Sequence, residues 1–94
     1  MIFVKATTYV INPEKMKPFL DYLYVLTKKT RMLEMNLSFE YGIQEDDKVV
    51  LVERWSTEKD CQDYLRNPEF KEEIETLEKM SKKVINLYQF TTIK

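Results

Sequence analysis

The chain opens on a stretch in which apolar side chains fill both alternating sets of positions. From Ile2 to Ile11, Ile2, Val4, Ala6 and Val10 point one way, and Phe3, Tyr9 and Ile11 point the other. β-Branched and aromatic residues at this density predict a strand covered on both faces. The period then changes. Asn12 offers an N-cap oxygen, and Pro13 stands where the first turn of a helix has an unpaired N–H anyway. Beyond them Met16, Phe19, Leu20, Leu23, Leu26, Thr27 and Thr30 recur at three- and four-residue spacing, one face of an amphipathic helix running to about Arg31. Alternation returns from Asn36 to Gln44, with Leu37, Phe39, Tyr41 and Ile43 on one side and Asn36, Ser38, Glu40 and Gly42 on the other. A polar turn, Glu45 to Lys48, leads into a third strand, Val49 to Trp55, so these two strands form an antiparallel hairpin.

Ser56 or Thr57 caps a second helix that turns Cys61, Tyr64 and Leu65 inward. Asn67-Pro68 repeats the signal of Asn12-Pro13 and starts a third, whose stripe is Phe70, Ile74, Leu77, Met80 or Ser81, and Val84. The charged residues between them read as a solvated face supported by helical charge pairs. A fourth strand, Val84 to Ile93, ends the chain. The order β-α-β-β-α-α-β over residues 1–94 predicts one α+β domain of the ferredoxin-like kind, four antiparallel strands with helices on one face.

That architecture leaves a problem. Helices cover one face of the sheet, yet the first strand is apolar on both. The last strand, with Val84, Tyr88 and Phe90 opposed by Ile85, Leu87 and Ile93, repeats the pattern, and Val50 and Val52 extend it. A contiguous apolar surface of this size marks an interface. A second copy of the same surface covers it, so a two-fold homodimer is expected. In the hairpin, Glu40 opposite Arg54 makes an ion pair and leaves Asp46-Asp47-Lys48 as the loop; a shift of one residue sets Glu40 against Glu53.

Composition narrows the chemistry. Fifteen Lys plus Arg against 16 Asp plus Glu gives a net charge of 15 − 16 = −1, which offers no basic footprint for nucleic acid. Lys5 interrupts the one apolar stretch near the N-terminus, so neither a signal peptide nor a membrane span is predicted. One cysteine makes no intrachain disulfide and fits a reducing cytoplasm. The absence of histidine removes the usual general base, the commonest metal ligand and the usual proximal haem ligand, so no metal and no cofactor are expected.

Leu37-Ser38-Phe39-Glu40-Tyr41, the run Val50-Leu51-Val52-Glu53-Arg54-Trp55-Ser56, and Tyr64-Leu65-Arg66-Asn67-Pro68-Glu69-Phe70 occur in one order and spacing. Together they resemble the antibiotic biosynthesis monooxygenase family, over essentially the whole chain. The resemblance implies a dimeric α+β barrel and a small apolar or aromatic ligand. It also implies cofactor-independent oxygenation of a small aromatic or quinol-like substrate, in which the substrate anion itself gives electrons to oxygen. Trp55 corresponds to a strand tryptophan that lines the pocket in several members. Leu51 stands where some members carry an asparagine, and Tyr64 where a helix histidine is often found. The haem-degrading branch needs an axial histidine, which this chain lacks.

A small aromatic ligand needs an apolar pocket with few polar groups, expected between sheet and helices; its candidate residues are Trp55, Tyr64, Tyr41, Phe39 and Leu51, each of which also reads as core. Tyr64 offers a hydroxyl to a substrate oxygen or packs with its tip wet. Glu53 is the anomaly, a carboxylate between apolar neighbours on the face of Leu51 and Trp55. Paired with Arg31 or a helix lysine, the favoured reading, it is structural; desolvated, its pKa rises and it becomes the candidate general base. Cys61 has no activating neighbour and reads as a core thiol. The competing function is a non-catalytic small-molecule-binding or regulatory module on the same fold.

Overall fold

The computed structural model of the protein describes residues 1–93. Alternation becomes four strands, β1 (Phe3–Val10), β2 (Asn36–Gln44), β3 (Lys48–Trp55) and β4 (Lys83–Thr91). They form one antiparallel sheet in the order β2-β3-β1-β4. Three helices cross one face: α1 (Met16–Arg31), α2 (Glu58–Arg66) and α3 (Pro68–Met80). This is the ferredoxin-like α+β arrangement that the hydrophobic pattern predicts.

The helix starts follow from their caps. Asn12 accepts from the Glu14 N–H, and a short 3-10 turn over Pro13–Lys15 precedes α1. Thr57, rather than Ser56, caps α2 by accepting from the Asp60 N–H, and the Asp60 carboxylate accepts from both hydroxyls in return. Those two hydrogen bonds hold the Asp60 pKa below the usual carboxylate range. Asn67 both ends α2 and caps α3. Lys29 ties α1 to α3 through Glu69 and Glu73, at 3.0 and 2.9 Å.

The helix-facing layer is the core. Phe3, Tyr9, Phe39, Leu51 and Trp55 from the sheet meet Phe19, Leu23 and Leu26 of α1, Cys61 and Tyr64 of α2, and Phe70 and Leu77 of α3. Thr27, in the stripe of α1, satisfies its buried hydroxyl by donating to the Leu23 carbonyl.

Two registers depart from expectation. In the hairpin Glu40 lies opposite Val52 and Ser38 opposite Arg54, two residues from the expected pairing. The loop is then Glu45 to Asp47, with Glu45 in the left-handed region at φ 60°. From Ser38 to Gln44 parity is kept, so these side chains stay on their expected faces and Glu40 does not meet Glu53, whereas Asn36 lies opposite the inward Trp55, off its expected face. The expected Glu40–Arg54 pair is not among the ion pairs formed by the described residues. An exposed pair is worth about 0–1 kcal/mol, too little to set the register by itself. An irregularity between Asn36 and Ser38 absorbs Leu37, which is exposed.

The second departure is a bulge in β4, where pairing with β1 passes from Ala6–Tyr88 to Thr7–Asn86. Above it Tyr88 and Phe90 share the outer face with Ala6 and Val4. Below it the faces exchange, so Val84 joins Tyr9 on the inner face and Ile85 joins Thr8 on the outer. Val84 therefore does not share a face with Tyr88 and Phe90, because one extra residue reverses a period of two.

Candidate functional site

Between the inner face of the sheet and the helices lies a cavity of about 200 Å³. Its floor is Lys5, Thr7 and Tyr9 of β1, Phe39 of β2, Leu51 and Glu53 of β3, and Val84 and Asn86 of β4. Leu26 of α1, Tyr64 and Leu65 of α2, and Ile74, Leu77 and Glu78 of α3 form its roof. Polar and apolar groups share this lining, where an apolar pocket with few polar groups was expected.

Strand periodicity delivers the acid. Glu53 sits two residues from Leu51 and two from Trp55, so all three face the helices, and Glu53 is only 5% exposed. Its Oε1 accepts from the Trp55 indole Nε1 at 3.1 Å. The expected partner Arg31 is engaged elsewhere, donating from Nε and Nη2 to the Phe39 carbonyl at 3.0 and 2.6 Å. No helix lysine takes its place among the described ion pairs, so the favoured structural pairing of Glu53 is not formed. Burial therefore pushes the Glu53 pKa up, opposed by the charge of Lys5 and by the Trp55 hydrogen bond. The result is a basic carboxyl group on the wall of a cavity.

Of the five expected pocket residues, the structure brings Phe39, Leu51 and Tyr64 to the cavity with Glu53. Trp55 stands behind it. Its ring is 1% exposed and lies 4.5 Å from that of Tyr64, whose ring in turn lies 4.8 Å from Phe70. Trp55 touches this cavity only through its hydrogen bond to Glu53, and with Tyr64 and Phe70 it lines a separate, more open pocket of about 290 Å³. Tyr41 pairs with Leu51 and packs half-buried against the core, outside the cavity. The Tyr64 hydroxyl is not wet: it shares a 2.9 Å hydrogen bond with Thr30 Oγ1, and burial raises its pKa. Tyr9 is likewise held neutral by burial, with Glu53 and Glu78 adding to the shift. Burial pushes the Cys61 thiol up to about 12, consistent with an inert core thiol.

Pattern reading passed over Lys5. It lies directly opposite Glu53 on the neighbouring strand, faces the same cavity, and is half-buried. The signal was present, since Phe3 and Tyr9 flank it at even spacing and both point inward. Among the described residues, no three His, Cys, Asp or Glu side chains come together as a metal-ligand set. No helix among them is long and apolar enough to cross a membrane.

The antibiotic biosynthesis monooxygenase family model matches residues 1–76. No curated protein matches the chain in sequence. Among solved structures, the chain is similar to a conserved protein from Methanosarcina mazei Go1, with 18% identity and a TM-score of 0.83 over 92% of this chain and 90% of that one. It is similar to SnoaB, a cofactor-independent oxygenase from Streptomyces nogalater solved as a mutant, with 12% identity and a TM-score of 0.83 over 99% and 94%. A protein from Caulobacter crescentus CB15 superposes with a TM-score of 0.88 at 11% identity, over 99% of this chain and 91% of that one. At these identities the likeness is one of fold.

Proposed function

The chain belongs to the antibiotic biosynthesis monooxygenase family, and on that premise we propose that it oxygenates a small aromatic or quinol-like molecule without a cofactor, in the cavity between sheet and helices. The observation that carries this reading is Glu53, a buried carboxyl with a raised pKa on the cavity wall and no ion-pair partner among the described residues. Glu53 takes the proton of a phenolic hydroxyl, and the resulting anion is electron-rich enough to reduce dioxygen. One oxygen atom enters the ring as a carbonyl and the other leaves as water, so a phenol and dioxygen give a quinone and water. The substrate supplies every electron. Phe39, Leu51 and Tyr64 orient the ring against Glu53, which removes the entropy of a chance encounter.

Oxygen uptake above autoxidation, measured with hydroquinone and with a two-ring quinol, tests this. Glu53→Gln keeps the shape and the acceptor for Trp55 but is no base, so uptake should fall about 100-fold or more. Unchanged uptake in that variant, or none in the wild type with either quinol, overturns the reading. Tight binding without uptake would instead leave a ligand-binding module.

The second part of the reading is assembly. On the outer face Val50 and Val52 are half-buried, and Tyr88 and Phe90 stand about half exposed with their rings 5.9 Å apart. Two copies paired through this face would remove those side chains from water and leave the helices outside. A solution mass near the 11.4 kDa of one chain at micromolar concentration would exclude it. The buried, unreactive thiol suits a reducing compartment such as the cytoplasm.

A further inference from the structure

We propose that the cavity is a site for a single-ring phenol held as its phenolate, with the ligand oxygen shared between Lys5 and Glu53. This deepens the oxygenase reading and rests on it for the reaction, but not for the binding. Size sets the ring count. An apolar cavity of roughly 150 Å³ accommodates one benzene, and the cavity here measures about 200 Å³. That matches one ring and its substituents, and three fused rings would project beyond it.

Charge sets the functional group. Lys5 and Glu53 are direct partners on adjacent strands and both face the cavity. Their charged ends form no ion pair: the pairs within 4.0 Å among the described residues do not include them. Nor does Lys5 make a side-chain hydrogen bond to any described residue, while the one such bond to Glu53 comes from Trp55. A cation and a basic acid thus address one space without a direct ion pair between them. A phenolic oxygen fits between them because it yields its proton to Glu53 and, as an anion, accepts from the Lys5 ammonium. A plain arene leaves both groups unpaired, and a carboxylate ligand sets like charge against Glu53. The other titratable groups on the cavity are Tyr9, Tyr64 and Glu78, and none of them is a direct cross-strand partner of Lys5. Tyr9 and Tyr64 are held neutral, Glu78 comes from α3 in the roof, and Lys5 is the one cation among the described lining residues.

The probe is para-nitrophenol, whose phenolate is yellow and whose neutral form is not. Bound to the wild type, it should turn yellow at a pH lower than in buffer by about 1–3 pH units, and it should quench Trp55. Lys5→Met should abolish the lowering, and Lys5→Arg should keep it. Benzoate and a hydroxyanthraquinone should bind at least about tenfold more weakly than the phenol. Absence of binding, binding only as the neutral phenol, or equal affinity for the three-ring ligand overturns the proposal. Because para-nitrophenol is read by colour and not by oxygen uptake, the outcomes separate. Yellow binding with no quinol oxidation sinks the oxygenase alone, and quinol oxidation without phenolate binding sinks this site assignment alone.

Discussion

The two faces of this one sheet share an alternating pattern and meet opposite fates. The inner face carries Phe3, Tyr9, Phe39, Leu51 and Trp55 under three helices, and against that apolar background holds one acid and one cation, Glu53 and Lys5. No helix among the described residues covers the outer face. Its central residues Val4 and Ala6 are nonetheless only 4% and 1% exposed, because β1 lies between β3 and β4 and its outer side chains sit among Val52, Arg54, Tyr88 and Phe90. Those flanking residues stay partly or largely open. Burial by helices therefore gives a place where charge is desolvated. Burial by neighbouring strands alone leaves the flanks of the face open to water.

Truncation should separate the faces most sharply. Trp55→Ala removes a fully buried ring and the donor to Glu53, which should cost about 3–5 kcal/mol. That approaches the whole stability of a small domain, about 5–15 kcal/mol. On the outer face Phe90→Ala should cost the subunit about 0.5 kcal/mol or less, since Phe90 is already 50% exposed. Denaturant unfolding of both variants in a monomeric background checks the contrast, and equal losses would dissolve it. Val52→Asp supplies that background. It should halve the solution mass while leaving far-ultraviolet circular dichroism intact. An unchanged mass would mean that the outer face is not the interface.

The same contrast explains what the sequence made legible. Long-period signals were readable because each is local: Asn12, Thr57 and Asn67 announce helices within a few residues, and the alternation of β2 and β3 assigns faces whatever their register. The fold and the inward placement of Glu53, Leu51 and Trp55 follow from these. Register was not readable, because an exposed Glu40–Arg54 attraction is too weak to choose between alignments two residues apart. The β4 bulge was hidden for another reason. No glycine or proline marks it, and it shows only as a change of face between Tyr88 and Asn86. In the site, the partner of Glu53 was misjudged since Arg31 is adjacent in pattern, but its guanidinium is consumed by a backbone carbonyl.

Protonation offers a finer test of the inner face. Burial raises the Glu53 pKa above its ordinary value of 4.5, so the folded state binds this proton more tightly than the unfolded state. The associated stability is fully present below pH 4.5 and is lost as pH rises through the raised folded pKa. Glu53→Gln keeps an acceptor for Trp55 and removes the titration. Its melting temperature should exceed that of the wild type at neutral pH, and the two should converge below pH 4.5. A wild type that gains stability as pH rises through this window would mean that Glu53 is paired as an anion.

The smallest effect probes the outer face at Gly42, the chain's one glycine, in the middle of β2 opposite Val50. Its backbone needs no positive φ, and a Cβ built there meets nothing within 4 Å. Within one subunit nothing requires glycine at this place, and glycine in a strand interior weakens the strand. Gly42→Ala in the Val52→Asp background should therefore stabilise the monomer by about 0.4–1 kcal/mol, chiefly by restricting the unfolded chain. In the wild-type background the added methyl projects from the outer face into space that a second copy would occupy, and dimer affinity should fall. The paired measurement is the unfolding midpoint of the monomer and the dissociation constant of the dimer. Stabilisation of the monomer with weaker dimerisation identifies Gly42 as a point of close approach between subunits. A gain in both backgrounds with unchanged dimer affinity places Gly42 outside the interface, and two-fold pairing would then have to run through the β1 and β4 side of the sheet.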